Sequence, residues 1–291
     1  MSGMDERTCA LRNRLTRRAG EDQTGSMMRI ETATVEANDA VADGYMVMAL
    51  RSPRIARAAR PGQFVHLRVP APDSAVLRRP FSIFRAGESR IAILYKVVGI
   101  GTRAMASLDP GSETSLIGPL GNGFPEPGVS SHPVLVAGGY GVAPLAFLQS
   151  RCRRPGTVFL GARTACELVA VRDVRRQGWE VVLATEDGSR GVRGLVTEAL
   201  DRWIEARGAS EKLEFFACGP DGMLRAVAAR AAAGGWKAWV SLDRHMGCGV
   251  GACLACAQKM RAPDGSEIRV RVCRDGPVFE GSQVIWDEER S

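Results

Sequence analysis

The chain has 291 residues, is 45% hydrophobic, and carries 39 Lys and Arg against 32 Asp and Glu for a formal net charge of +7. That length exceeds what one compact core usually serves, so two domains and a small appendage are expected. The basic residues are scattered, with neither a recognition-helix pattern nor an aromatic–basic RNA signature, which argues against nucleic acid as partner; with no uncharged apolar run of about 18 residues and no signal-like opening, no membrane span is expected and the protein is read as cytoplasmic.

Residues 1–27, with Arg7, Arg12, Arg14, Arg17 and Arg18 among polar residues, read as a disordered basic extension, Met27 or Met28 being an alternative start. Residues 28–128 then show six short, β-branched, alternating runs at 30–36, 45–50, 64–69, 81–84, 91–98 and 114–117. They are punctuated by Arg60-Pro61-Gly62 and Asp109-Pro110-Gly111. That rhythm predicts a six-stranded antiparallel barrel, with a short helix beginning near Thr102.

Within the barrel, Arg79-Pro80-Phe81-Ser82 opens a strand, and Leu94-Tyr95-Lys96 and Gly99-Ile100-Gly101-Thr102 follow it. An arginine suits a pyrophosphate, a serine hydroxyl can bond a flavin ring nitrogen, and the turn after Gly101 offers backbone N–H groups to phosphate. An Arg-Pro dipeptide before a strand is ordinarily only a turn; the order and spacing of the whole set predict FAD.

From 129 to 243 the rhythm becomes strand then helix, with strands expected at 134–137, 157–162, 181–185, 213–217 and 238–242 and helices at 143–151, 165–172, 195–207 and 223–233. Alternating β and α units predict a doubly wound parallel sheet. The turn Gly138-Gly139-Tyr140-Gly141 lacks the G-x-G-x-x-G order, so an ordinary dinucleotide fingerprint is not claimed. It ends a strand, however, as do Thr185-Glu186-Asp187-Gly188 and Cys218-Gly219-Pro220, and the carboxyl edge of a parallel sheet is where a nicotinamide dinucleotide binds. Cys218 reads either as a small buried strand-end residue or as a nicotinamide contact. His66, His132 and His245 have no nucleophile or metal partner in sequence, and no acid–base residue is assigned.

The segment 244–291 is too short to bury a core alone, so it is expected to depend on a metal and on docking. Of eight cysteines, Cys9, Cys152, Cys166 and Cys218 are dispersed, whereas Cys248, Cys253 and Cys256 form C-x4-C-x2-C, with Cys273 beyond a strand-turn-strand excursion. This is the spacing of a plant-type [2Fe–2S] cluster, with Gly249 and Gly251 letting the backbone wrap its sulfur atoms. A tetrahedral zinc site and unligated structural thiols are the alternatives.

Taken in order, Arg79-Pro80-Phe81-Ser82, Gly101-Thr102, Gly118-Pro119-Leu120-Gly121-Asn122-Gly123, Gly138-Gly139-Tyr140-Gly141, Cys218-Gly219-Pro220 and the four cysteines closely resemble the family of dihydroorotate dehydrogenase electron transfer subunits, within the ferredoxin reductase superfamily. The resemblance runs from Arg29 to about Trp286. It implies an FAD-binding barrel, an NAD-binding α/β domain and a C-terminal [2Fe–2S] loop. It further implies FAD pyrophosphate at Arg79 and Thr102, the flavin ring near Ser82, other FAD contacts at Leu94, Tyr95, Lys96 and Gly101, and cluster ligation by the four cysteines. The implied partner is an FMN-containing catalytic subunit, two of each chain forming a heterotetramer. Two departures stand out: Ser241-Leu242-Asp243-Arg244-His245-Met246 replaces a more acidic run, and the arginine-rich N-terminus has no counterpart.

The resemblance implies an oxidoreductase subunit of pyrimidine biosynthesis that never touches dihydroorotate itself. The competing readings are a related reductase subunit of the sulfite reductase, hydrogenase or NADH-dependent ferredoxin:NADP+ type, and a non-enzymatic iron–sulfur scaffold with a decayed flavin site.

Overall fold

A computed structural model describes residues 28–69, 77–176, 178–207 and 211–286; the N-terminal extension lies outside them. Six strands, β1 (Arg29–Ala42), β2 (Tyr45–Arg51), β3 (Phe64–Leu67), β4 (Arg79–Ala86), β5 (Arg90–Lys96) and β6 (Glu113–Leu120), form a closed barrel in the order β1-β2-β5-β4-β3-β6. Every pairing is antiparallel. Its interior is filled by Met48, Leu50, Ile55, Val65, Leu67, Ile83, Ile93 and Leu116.

Alternation along β1 does not follow hydrophobicity alone. Glu31, Ala33 and Val35 are buried while Ile30 is exposed. The inward carboxylate accepts hydrogen bonds from Ser52 Oγ at 2.7 Å and from the N–H groups of Ile55 at 3.0 Å and Arg54 at 3.2 Å. It therefore closes the N-terminal turn of a short helix, α1 (Pro53–Ala58), that sequence reading did not anticipate. Burial opposes the charge of Glu31, but these donors and the nearby Arg54 outweigh it and hold the carboxyl below its usual range.

The second layer is a seven-stranded sheet. Strands β7 (His132–Gly138), β8 (Thr157–Ala162), β9 (Glu180–Thr185), β10 (Val192–Arg193), β11 (Leu213–Cys218) and β12 (Lys237–Ser241) run parallel. The spatial order is β10-β9-β8-β7-β11-β12-β15, where β15 (Val278–Glu280) belongs to the C-terminal segment and pairs antiparallel with β12. Successive residues of β7 face opposite sides. Val134 and Val136 join the core beneath α5 (Val196–Arg207) and α6 (Asp221–Ala233), while Leu135 and Ala137 join that beneath α3 (Val142–Arg151). Both faces are covered, as a doubly wound sheet requires.

The helix expected over 165–172 is not formed. A 3-10 turn at Ala165–Glu167 is separated from the one-turn helix α4 (Val171–Val174) by Ala170 at φ 56°. Leu168 and Val169 are drawn into the interdomain core there, and Glu167 pairs with Lys96 at 3.2 Å, so tertiary contacts override helical composition.

After β12 comes the cysteine loop, then the hairpin β13 (Ala257–Arg261) and β14 (Glu267–Arg271), the single turn α7 (Val272–Asp275), and β15. Cys256, Met260, Val272, Cys273, Phe279 and Val284 share one apolar cluster with Phe64 and Leu120 of the barrel and with the α/β sheet. The segment thus docks on both larger units. The stretch after β6 ties it down, since Asn122 donates through its N–H to Gly276 O at 2.6 Å and through Nδ2 to Asp275 O at 3.0 Å.

Candidate redox site

Five predicted flavin residues meet in one cleft. Arg79, Pro80, Phe81, Gly101 and Thr102, with Val98, Gly99 and Ile100, line a space of about 370 Å³ between the start of β4 and a short helix, α2 (Ile100–Ala106). Gly101, in the first turn of that helix, packs beside Val69 and the Arg79 guanidinium, in ordinary van der Waals contact. The guanidinium donates to Leu77 O at 2.7 Å. Thr102 is turned into its own loop, where Oγ1 accepts from the N–H groups of Val98 at 2.9 Å and Gly99 at 3.1 Å. Val98 and Ile100 are exposed apolar residues at the rim. A cation, backbone amides at a helix start and apolar rim residues are the surroundings that a flavin diphosphate suits.

The remaining flavin candidates lie nearby but do not line the cleft. Ser82 is opposite Phe64 across the β3–β4 ladder. Leu94 is buried in the interdomain core. Tyr95 packs edge-on to Phe81 at 5.8 Å and donates to Asn38 Oδ1 at 2.9 Å, and burial pushes its hydroxyl up to about 12. Lys96 sits over the Tyr45 ring and is held by Glu167, its ammonium stabilised by that bond.

The glycine turns at the carboxyl edge of the sheet interlock. Ala137 of β7 is level with Cys218 of β11, and the chain order reverses between these two strands. That is the switch point at which open α/β sheets bind ligands. Gly138 meets Gly219 and Pro220, and Gly141 meets Cys218 so closely that a Cβ there would stand 2.1 Å from its carbonyl oxygen, while Gly139 faces the Tyr45 hydroxyl of the barrel. Burial drives the Cys218 thiol up to about 12, so it is a neutral group there. Tyr140 projects from the turn half-exposed and donates to Asp243 Oδ2 at 3.3 Å, a pair that sequence reading missed. Burial raises both groups, Tyr140 to about 12. At β9, Asp187 Oδ1 accepts from the N–H of Ser189 at 2.9 Å and from its Oγ at 2.6 Å, bonding within its own turn.

The four clustered thiols lie in two pairs of unlike character. Cys256 and Cys273 are buried with sulfurs 3.2 Å apart, and burial together with Cys256 raises the Cys273 thiol to about 12. Cys248 Sγ accepts N–H bonds from Ala252 at 3.2 Å and from Val250 and Cys253 at 3.4 Å each. Burial opposes its ionisation, but these donors win and lower it to about 6. Among the described residues no three His, Cys, Asp or Glu side chains close on a point suited to one ion. The donor set is all thiol, and Cys248 already has amides aimed at its sulfur. These are features that a two-iron cluster uses and that unligated structural thiols do not need.

His66 is the other residue of this region given no role from sequence. All four residues of β3 are buried: Val65 and Leu67 face the barrel interior, while Phe64 joins the cluster segment's core. His66 alternates with Val65, on the Phe64 side of the strand, where a Cβ at Gly249 would stand 2.6 Å from its Nδ1. Burial, and after it Arg78, lower its basicity. The available signal was a lone histidine inside Phe-Val-His-Leu, a run apolar enough for a strand covered on both faces.

Residues 243–285 match the family model of the iron–sulfur cluster binding domain of dihydroorotate dehydrogenase B. The electron transfer subunit of dihydroorotate dehydrogenase B (NAD+) from Desulforamulus reducens is 38% identical over 266 residues, covering 90% of this chain and 100% of that one. The chain belongs to this family of electron transfer subunits. The family's Bacillus velezensis subunit is 36% identical, over 86% of this chain and 97% of its own length. Among solved structures, that of NADH-dependent reduced ferredoxin–NADP oxidoreductase superposes with a TM-score of 0.75 at 29% identity, covering 87% of this chain and 90% of that one. An Amycolatopsis cytochrome P450 reductase shares the fold, with a TM-score of 0.60, 22% identity, and coverage of 71% and 66%. Among the described residues no helix is long and apolar enough to cross a membrane.

Proposed function

We infer that this chain is the electron transfer subunit of an NAD-dependent dihydroorotate dehydrogenase, carrying electrons from an FMN-containing catalytic subunit to NAD+ by way of a [2Fe–2S] cluster and FAD. The observation that carries the reading is a juxtaposition. The cysteine loop lies against the outer face of β3, His66 on that face is level with Pro80 of β4, and Pro80 lines the cleft, so the candidate cluster and flavin sites are neighbours along one two-strand ribbon. FAD supplies the conversion between one-electron exchange with an iron–sulfur centre and two-electron hydride exchange with a nicotinamide.

The chain's own residues hold and orient. Cys248, Cys253, Cys256 and Cys273 are the cluster ligands; Arg79 faces the diphosphate, with Thr102 shaping the loop beside it; Gly138, Gly139, Gly141, Cys218, Gly219 and Pro220 form the nicotinamide-side floor. No group here is assigned to abstract a proton from dihydroorotate, which leaves that step to the partner. Val250 and Leu254 are exposed apolar residues at the tip of the cysteine loop, and Leu254 adopts φ 61°, a conformation rare for a branched residue. This tip suits contact with a catalytic subunit, two of each chain completing the assembly.

The isolated chain loaded with FAD and iron should oxidise NADH with ferricyanide but leave dihydroorotate untouched. Adding the catalytic subunit should create dihydroorotate-dependent NAD+ reduction. Cys253→Ser should abolish that coupled rate, lower bound iron and sulfide, and spare NADH–ferricyanide turnover. Dihydroorotate oxidation by the chain alone, or coupled turnover surviving loss of the cluster, would overturn the assignment. The similarity to the NADH-dependent ferredoxin–NADP oxidoreductase favours a second reading, a reductase of that class, and ferredoxin-linked turnover without any dihydroorotate-linked turnover would select it.

A further inference from the structure

His66 is 1% exposed, yet neither ring nitrogen has a hydrogen-bond partner among the described residues. Buried polar atoms in folded proteins are almost always satisfied, and an unsatisfied one asks for an explanation. The surroundings limit the choice. The ring lies on the face of β3 turned toward the cysteine loop, and Gly249, at φ 71°, packs so close that a Cβ there would collide with the ring, 2.6 Å from Nδ1. The backbones of Cys248 and Arg78 come near enough to the ring to favour its N–H groups, without completing a bond of good geometry. The strand itself is firmly placed, since Arg78 Nη1 donates to the His66 carbonyl at 3.3 Å and to Ser115 O at 2.7 Å.

We propose that His66 is a positioning residue for the iron–sulfur site: a ring N–H directed at the Cys248–Gly249 stretch is the donor that holds the cysteine loop on the outer face of the β3–β4 ribbon, beside the flavin cleft. The inference rests on the reading of the four thiols as cluster ligands. Three features support it together. The imidazole is the polar side chain of β3 on the face that meets the cysteine loop, alongside Phe64 and level with Pro80, which lines the cleft. Cys248 Sγ already receives three backbone N–H groups from the residues just after it, so a ring N–H bonded to the peptide joining Cys248 to Gly249 would fix the loop that arranges those donors around the sulfur. Gly249 makes the approach possible. Hydrogen bonds around cluster sulfurs raise the reduction potential, because they favour the more negative, reduced state.

The test uses the full chain reconstituted with iron, sulfide and FAD, and compares His66→Leu with His66→Asn. Leucine fills the space without a donor, whereas the asparagine amide places an N–H near the Nδ1 position. Iron and labile-sulfide content, the electron paramagnetic resonance spectrum of the dithionite-reduced protein and the cluster midpoint potential are read for each. His66→Leu is expected either to lose the cluster or to keep it with altered g values and a more negative midpoint, and His66→Asn to restore the wild-type spectrum and most of the midpoint. If the two variants behave alike, whether both unchanged or both shifted, or if only the asparagine variant departs from wild type, the ring supplies no donor and the proposal fails. Wild-type protein that takes up no iron on anaerobic reconstitution would instead overturn the cluster assignment itself.

Discussion

Replacing Arg79 by alanine separates the flavin site from the stability of the barrel. In the folded chain the guanidinium donates to the carbonyl of Leu77, an exposed residue, at 2.7 Å, so its removal strands no buried group. The cost to folding should therefore be about 0.5 kcal/mol or less, as for ordinary surface changes. Against a diphosphate the same side chain makes a charge-assisted contact worth about 1.5–3 kcal/mol. At about 1.4 kcal/mol per tenfold, the FAD Kd should rise roughly ten- to hundredfold. Arg79→Lys, which keeps the charge but loses the planar fork, should fall between. Titration of apoprotein with FAD, followed by quenching of flavin fluorescence at two salt concentrations, gives the Kd, and the apoprotein melting curve gives stability. Added salt should weaken wild-type binding more than that of Arg79→Ala. An unchanged Kd would place the phosphates elsewhere; a raised Kd accompanied by a fall of several degrees in apoprotein Tm would show that the arginine acts through the fold.

Gly141→Ala must separate the two interlocked turns, since its Cβ would meet the Cys218 carbonyl at 2.1 Å; a loss of about 1–3 kcal/mol in stability and weaker NADH binding should appear in chemical denaturation and in NADH titration, with FAD affinity retained. Glu31→Gln replaces a carboxylate that accepts three bonds with an amide that presents a donor to donors, and should cost about 1.5–3 kcal/mol in urea unfolding at neutral pH. Because the folded carboxyl titrates below its ordinary value of 4.5, its contribution is present above that pH and is lost as the pH falls through the lowered value. Wild type should therefore approach Glu31→Gln in stability in acid, and a gap that stays constant down to strongly acid pH would show that the charge is not what matters.

Much of this molecule could be read from local pattern. The strands of the barrel announce themselves through β-branched runs between Gly and Pro, because a strand with one wet face needs a period of two whatever its partners are. The strand–helix rhythm from 129 to 243 specified a parallel sheet for a similar reason, since parallel neighbours require a crossover. The C-x4-C-x2-C spacing is likewise local, because chain length between ligands limits what one loop can hold.

What the tertiary structure decided is which face meets which unit. Glu31 stands inward and Ile30 outward, because the N–H groups of α1 arrive at the carboxylate from another part of the chain. The run 165–172 abandons a helix because Leu168, Val169 and Glu167 find partners in the interdomain core and on Lys96. Tyr140 and Asp243 are joined only by the folding of β12 beside β11. His66 is the clearest case: its residue type and strand period are visible in Phe-Val-His-Leu, but its orphaned ring becomes meaningful only when the cysteine segment docks on the outside of the barrel and brings Gly249 against it. Periodicity reports the environment along one chain direction, whereas the partner of a buried polar group is set by contacts between segments far apart in sequence, whose pairing no local pattern encodes.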